Sequence, residues 1–230
     1  MYKGKKVIVI TGGFNEEGKI GKVIDRMPDF VDGVIAVDDG STDNTAKEAE
    51  SAGAIVLQNK KNRGAGYVLR KGINYAIENK YDITVIIAGD NQDNPDEIKT
   101  LIGPLFDGCD LVQGSRFIKD KKKIPLFRLV TTKMFSNLFS LITGTRITDA
   151  SNGFRAFKTR VVKNIKLDYA WLNKYELEPY LLIQIIKNKH RIKEVPVSKL
   201  YDKEKGYSKM KPFIDWYRIC KPLLKEAFAK

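Results

Sequence analysis

The 230-residue chain contains a single histidine, His190, and only two cysteines, Cys109 and Cys220. Cysteines so far apart exclude a disulfide framework and the clustered ligand spacing of a zinc site, and they point to a reducing compartment. His190 lies among Lys187, Lys189 and Arg191, so it reads as part of a solvated helix end and not as a catalytic base. Long apolar runs are missing as well. The basic start MYKGKK is followed by VIVI and then Thr11, which is too short for a signal-peptide core, and no run approaches the ~20 residues of a membrane span. Repeats and low-complexity linkers are absent. With 43% apolar and 30% charged residues, the chain can bury a sizeable core, which excludes disordered and fibrous classes. One α/β domain over residues 1–230 is expected.

Acidic residues are scarce, 28 against 41 Lys and Arg, and the deficit is local. Residues 1–115 hold 14 basic and 18 acidic residues, a balance of −4, whereas 116–230 hold 27 and 10, a balance of +17. Nucleic acid, an anionic membrane surface or a phosphorylated substrate each accounts for a basic half. Charge alone leaves these open.

In the first half, short Val- and Ile-rich runs recur at 7–10, 33–37, 54–57 and 83–88, each followed by a polar loop. Between them, Ile20, Val23, Ile24 and Met27, then Val68, Leu69, Ile73 and Ala76, follow helical spacing. Alternating strand and helix predicts a parallel sheet flanked by helices, with binding loops at the carboxyl ends of the strands. Ser41 and Asp43 mark one helix start, and Asn94 with Pro95 marks another. In the second half the spacing predicts a strand at 110–117 and a helix at 125–142 with Leu126, Leu129, Met134, Leu138 and Leu141 as its apolar stripe. A helix at 175–188, a strand at 192–198 and a basic amphipathic helix at 211–228 complete the pattern.

Three strand exits carry polar clusters. VDDGSTDNT at 37–45 sets Asp38 and Asp39 side by side; adjacent carboxylates repel unless donors surround them, and a nucleoside offers ribose hydroxyls and base N–H groups. ITGGFNEE at 10–17 supplies glycines that let a ligand approach the backbone. AGDNQDNPDEI at 88–98 offers Asp90, Gln92 and Asp93, hard oxygen ligands of the kind Mg²⁺ or Mn²⁺ takes alongside a diphosphate. Each alone is also an ordinary capped loop; together on one sheet edge they outline a site.

The ordered set GFNEE, VDDGSTD, NRGAGYVLRKG, GDNQDNPDE, GSRF, DASNGFRA, EVPV and GYSK resembles the family-2 glycosyltransferases of GT-A fold. Within these it is most similar to dolichyl-phosphate mannose synthase-like enzymes. The resemblance implies a mostly parallel central sheet and transfer of a sugar, with inversion, from a UDP- or GDP-linked donor to a polyprenyl phosphate. It places Gly12, Phe14, Glu16 and Asp39 against the nucleotide, Asp90 and Gln92 on a Mg²⁺ or Mn²⁺ ion, and Arg116 on the phosphates. It sets Asp149 near the reacting sugar, making Asp90, Asp149 and Arg116 the catalytic group. Arg128, Arg155, Lys203, Ser208 and Lys209 become candidates for the acceptor phosphate. Two positions depart from the pattern: Ala88 stands where the metal motif usually has an acid, and Gly12 where the first motif has proline, a change expected to loosen that loop. Asp149 and Arg155 also have a structural reading as a buried ion pair.

A phosphate acceptor is already anionic and needs no strong base, in keeping with the shortage of histidine. The expected setting is the cytoplasmic face of a membrane, peripherally bound, with a separate membrane subunit as a possible partner. Transfer to a soluble glycan, with Asp149 as base, and a non-catalytic nucleotide-sugar-binding protein are the alternatives. Nucleic acid ranks behind both, since no RNA-binding signature is present.

Overall fold

The computed structural model describes residues 1–118, 124–201 and 214–228. Among these, seven strands form one sheet in the order β3-β2-β1-β4-β6-β5-β7. The strands are β1 (Val7–Gly13), β2 (Gly33–Asp38), β3 (Ile55–Gln58), β4 (Ile83–Ile86), β5 (Leu111–Ser115), β6 (Arg155–Lys158) and β7 (Ile192–Pro196). The central strands β1, β2 and β4 are buried and mostly apolar because helices cover both faces. Ile8 and Ile10 of β1 face a helix, α3 (Ala65–Glu78), while Val7 and Val9 face the other layer, with α1 (Ile20–Ile24) and α4 (Ile98–Phe106). A third short helix, α2 (Thr45–Ser51), joins α1 beside β2 and β3.

The sheet is parallel except at β6, which runs antiparallel between β4 and β5. This strand was not expected from the sequence. Its four residues, RAFK, begin with an arginine, yet Arg155 is fully buried, with Ala156 and Phe157 facing opposite layers. Because β6 reverses direction, its leading loop and the trailing ends of β1, β2, β4, β5 and β7 all reach the same sheet edge.

The expected helix starts are met in different ways. Asn94 accepts a bond from Asp96 N (3.3 Å) and opens a 3₁₀ turn, Pro95–Glu97, ahead of α4. Ser41 does not cap α2; it accepts from Asn15 N (3.0 Å), tying two loops together. Asp43 serves both, accepting from Thr45 N (3.0 Å) and Glu17 N (3.2 Å). Desolvation pushes its carboxyl up, but the bond from the Thr45 hydroxyl (2.5 Å), with these two backbone bonds, outweighs it and holds Asp43 below its ordinary range.

Helix α5 (Leu126–Thr143) lies the other way round from the expected stripe. Thr132, Phe135, Ser136 and Phe139 are its buried residues, while Leu126, Met134 and Leu141 are 74%, 66% and 81% exposed. The cause is the neighbouring loop. Ser136 Oγ accepts from Ala150 N (3.1 Å) and Ser140 Oγ from Ile147 N (3.0 Å), so hydroxyls face inward to satisfy backbone groups. The apolar row Leu126, Val130, Met134, Leu138 and Leu141 is left outside. Helices α6 (Leu177–Lys187) and α7 (Ile214–Ala227) finish the layer over Phe135 and Phe139. The expected basic helix is amphipathic but nearly balanced: Arg218, Lys221 and Lys225 stand against Asp215 and Glu226. Among the described residues no helix is long and apolar enough to cross a membrane.

Candidate active site

Exits from β1, β2 and β4 form one wall of a cleft. Gly12 packs against β2 so closely that a Cβ would stand 2.3 Å from the Val37 carbonyl oxygen. The glycine therefore makes a tight backbone contact and not the looser loop expected from the lost proline. Beyond it, Glu16 is buried and its carboxylate pairs with Lys19 (2.9 Å). Phe14 is half-buried in the same loop.

The two adjacent aspartates of β2's exit have separate fates. Asp39 accepts from Asn59 Nδ2 (2.9 Å), Arg63 N (2.9 Å) and Gly64 N (2.7 Å), so both its oxygens hold the loop that precedes α3. Asp38 accepts from Ser41 N (3.1 Å) through Oδ1, and its buried Oδ2 has no hydrogen-bond partner. The repulsion that suggested a ligand is thus relieved at Asp39 by backbone N–H groups, and the unsatisfied oxygen belongs to Asp38. The NRGAGYVLRKG motif is largely structural: Arg70 donates to Leu167 O (2.9 Å) and Asn173 Oδ1 (2.8 Å). A Cβ on Gly66 would meet Leu172 O at 2.0 Å.

After β4, Asn91 adopts φ +60°, a left-handed turn that separates Asp90 from Gln92. Asp90 Oδ1 accepts from Gln92 N (3.1 Å). Burial, then the charges of Asp93 and Glu16, raises the Asp90 carboxyl above its ordinary range, against the opposing pull of Lys199 and the Gln92 N–H. Among the described residues the Asp90 side chain accepts this bond alone, and with Gln92 it offers the oxygen donors a hard divalent ion takes. No three His, Cys, Asp or Glu side chains converge among the described residues, so an ion there would complete its shell with diphosphate oxygens and water.

The opposite wall comes from β5, β6 and β7. Arg116, just past β5, donates to Asp149 through its backbone N (3.0 Å), Nε (2.7 Å) and Nη2 (2.8 Å), and to Ser151 Oγ (3.1 Å). Asp149 is fully buried. Burial alone would lower the Arg116 pKa, but the bonds and charge of Asp149 outweigh it and hold the guanidinium firmly protonated. Glu194 of β7 fixes the loop in turn, accepting from Thr148 N (2.8 Å) and Asp149 N (3.1 Å). The alternative reading of Asp149 and Arg155 as a buried ion pair does not hold: Asp149 pairs with Arg116 instead. Arg155 lies inside β6, donating to Asn152 O (2.6 Å) and Glu178 O (3.3 Å), and burial lowers its pKa. It is closed off from any acceptor.

Arg116 Nη1 also reaches Tyr201 Oη (3.4 Å), and the Tyr201 ring lies under the Arg128 guanidinium at 5.6 Å. Two of the expected phosphate-binding arginines are thereby joined by a tyrosine that the sequence did not single out. Lys199, also missed, extends to Asp93 Oδ1 (3.0 Å). Neither residue had a spacing signal, since both enter the cleft only through tertiary pairing. Lys203, Ser208 and Lys209 lie outside the described residues. His190 sits away from the cleft beside Asp110 (3.4 Å).

Residues 7–166 match the family described as glycosyl transferase family 2. The chain belongs to this family. A UDP-N-acetylglucosamine–dolichyl-phosphate N-acetylglucosaminyltransferase of Methanococcus voltae is 31% identical, over 94% of this chain and 95% of its own. A dolichyl-phosphate hexose transferase of Haloferax volcanii is 29% identical over 97% and 95%. The fold matches glucosyl-3-phosphoglycerate synthase of Mycobacterium tuberculosis, solved with Mn²⁺, UDP and phosphoglyceric acid. The TM-score is 0.76 at 22% identity, covering 98% of this chain and 79% of that one. The protein is a glycosyltransferase of GT-A fold with polyprenyl-phosphate sugar transferases among its relatives.

Proposed function

We propose that the protein transfers a sugar, with inversion, from a UDP- or GDP-linked donor to a polyprenyl phosphate at a membrane surface. The observation that carries this reading is the chain Arg116–Tyr201–Arg128, which runs from the cleft to the start of α5, where the exposed row Leu126, Val130, Met134, Leu138 and Leu141 begins. A phosphate head on the two guanidiniums would have its hydrocarbon tail beside that row. The dolichyl-phosphate relatives support the same reading.

In this account Gly12, Phe14, Glu16 and the Asp38–Asp39 exit line the nucleotide, while Asp90 and Gln92 would hold Mg²⁺ or Mn²⁺. When bound, that ion would neutralise charge gathering on the leaving diphosphate. Arg116 carries a fixed positive charge to the same place, kept in position by Asp149. The acceptor phosphate oxygen attacks the anomeric carbon as an anion and has no proton to lose. Asp149 is poorly placed as a base, because it has no exposed surface and Arg116 engages both its oxygens. That removes the main support for a sugar hydroxyl as acceptor. The protein would act peripherally on the cytoplasmic face, through the outer side of α5.

Arg128→Gln tests the reading. The apparent KM for polyprenyl phosphate should rise about tenfold, as expected for one lost charge-assisted contact, while the KM for the nucleotide sugar stays within twofold. Equal changes in both constants would contradict it.

A further inference from the structure

The ionised groups at the sheet edge are not equivalent. Glu16 is paired with Lys19 (2.9 Å), Asp149 with Arg116 (2.7 Å) and Asp93 with Lys199 (3.0 Å). Among the described residues, Asp38, Asp39 and Asp90 have no ion pair here; the two β2 aspartates accept from Ser41 N and from Asn59, Arg63 N and Gly64 N, whereas Asp90, at the β4 exit, is the one that feels the charge of Lys199. Lys199 is held twice over. Its backbone bridges to Asp93, and Leu200 N donates to Gln92 O (2.8 Å), so the segment after β7 is stapled to the loop carrying Asp90 and Gln92. With the main chain already joined, the Asp93–Lys199 side-chain pair adds nothing that two packed apolar groups could not supply, at a desolvation cost they would not incur. The Lys199 side chain is 13% exposed and that of Asp93 2%, so the lysine is the half of the pair with more of its surface open. Its charge is also felt at Asp90 and Arg116, the residues expected on either side of the diphosphate.

We propose that Lys199 is a built-in cation of the donor-diphosphate site, which neutralises Asp93 and leaves Asp90 as the carboxylate of the β4 exit open to a divalent ion. The inference rests on the nucleotide-sugar reading above and adds a residue to it. Two consequences follow. A nucleoside diphosphate should bind measurably without metal, because Lys199 and Arg116 already meet its charge. A divalent ion should bind the nucleotide-free protein weakly, because one carboxylate attracts it while a fixed ammonium repels it.

Calorimetry on the full chain tests this with UDP and GDP, each in EDTA and in Mn²⁺, and with Mn²⁺ alone. Lys199→Met should weaken metal-free nucleotide binding about tenfold and tighten Mn²⁺ binding to the nucleotide-free protein by a similar factor, the effect of a unit charge a few ångströms off in a partly screened cleft. Lys199→Arg should keep both constants near wild type. Should the single variant fold poorly, Asp93→Asn with Lys199→Met removes the pair together. That double variant should keep the nucleotide defect and bind Mn²⁺ about as the wild type does. Unchanged binding in Lys199→Met, or a double variant with wild-type metal-free affinity, would show that the lysine only braces Asp93 and would overturn the proposal. If neither nucleotide binds the wild-type protein with or without Mn²⁺, the donor reading itself fails.

Discussion

Replacing Asp149 by asparagine removes a charge from a pair that water scarcely reaches. The Asp149 side chain is 0% exposed and that of Arg116 10%. Arg116 gives the carboxylate three hydrogen bonds between 2.7 and 3.0 Å, two of them from the guanidinium. An amide offers one acceptor oxygen and turns an NH₂ toward the other donor, so the guanidinium keeps its charge and loses its counterion. Removing one partner of a buried pair costs about 3 to 5 kcal/mol. Arg116 retains Ser151 Oγ and Tyr201 Oη, which places the expected loss near the lower end, about 3 kcal/mol. For a chain of this length that is a fall in melting temperature of about 6 to 12 °C. Urea denaturation and calorimetry at pH 7 would measure it. Arg116→Met should cost a similar amount, since Asp149 is then buried alone. Combining Arg116→Met with Asp149→Leu should cost less than either change by itself, because no unpaired charge remains. A loss under about 1 kcal/mol in Asp149→Asn, or simple addition in the double variant, would refute the view that this pair is a sealed unit positioning Arg116.

The raised Asp90 carboxyl predicts a trade between stability and function. At neutral pH the unfolded chain ionises Asp90 more readily than the folded one does, so this group subtracts from stability, and the cost disappears as pH falls through its raised folded pKa. Asp90→Asn should therefore raise the metal-free melting temperature while lowering metal-dependent transfer at least a hundredfold; near wild-type turnover would refute the metal assignment. Ala88→Asp adds a carboxylate two residues before Asp90 and should tighten Mn²⁺ binding about tenfold by calorimetry; no change would place residue 88 outside the ion's reach. Met134→Glu with Leu141→Glu alters two residues 66% and 81% exposed, so folding should change by less than about 1 kcal/mol. Binding to anionic vesicles in a sedimentation assay should nonetheless fall at least tenfold, and unaltered vesicle binding would remove α5 from the membrane contact.

What could be read from the sequence follows from burial on both faces. β1, β2 and β4 announce themselves as Val- and Ile-rich runs because helices cover each side of them. β6 does not, because a four-residue strand starting with a buried arginine has no recognisable period. The orientation of α5 was misjudged for a related reason. Its inward face is built from Phe135, Phe139 and hydroxyls bonded to the 147–150 loop, while the leucines that normally signal a core face point outward. The site divides along the same line. Asp90 and Gln92 lie at a strand exit, where position marks them, and Arg116 is marked by the family's GSRF motif, whereas the Asp149–Arg116 pairing, the Tyr201 bridge and the Lys199–Asp93 contact join residues 33, 85 and 106 positions apart. Such partners are set by the sheet order, which the reversed β6 decides.

The central claim is that the acceptor is a lipid-linked phosphate served by the Arg116–Tyr201–Arg128 wall. It is tested most directly by incubating the purified protein with radiolabelled UDP- and GDP-sugars and Mn²⁺, supplying polyprenyl phosphate in vesicles in one arm and soluble glycans in the other. The account predicts an organic-soluble product that forms only in the polyprenyl phosphate arm and is lost in Asp90→Ala. Label appearing in the glycan arm, with none extracted into the organic phase, would contradict it.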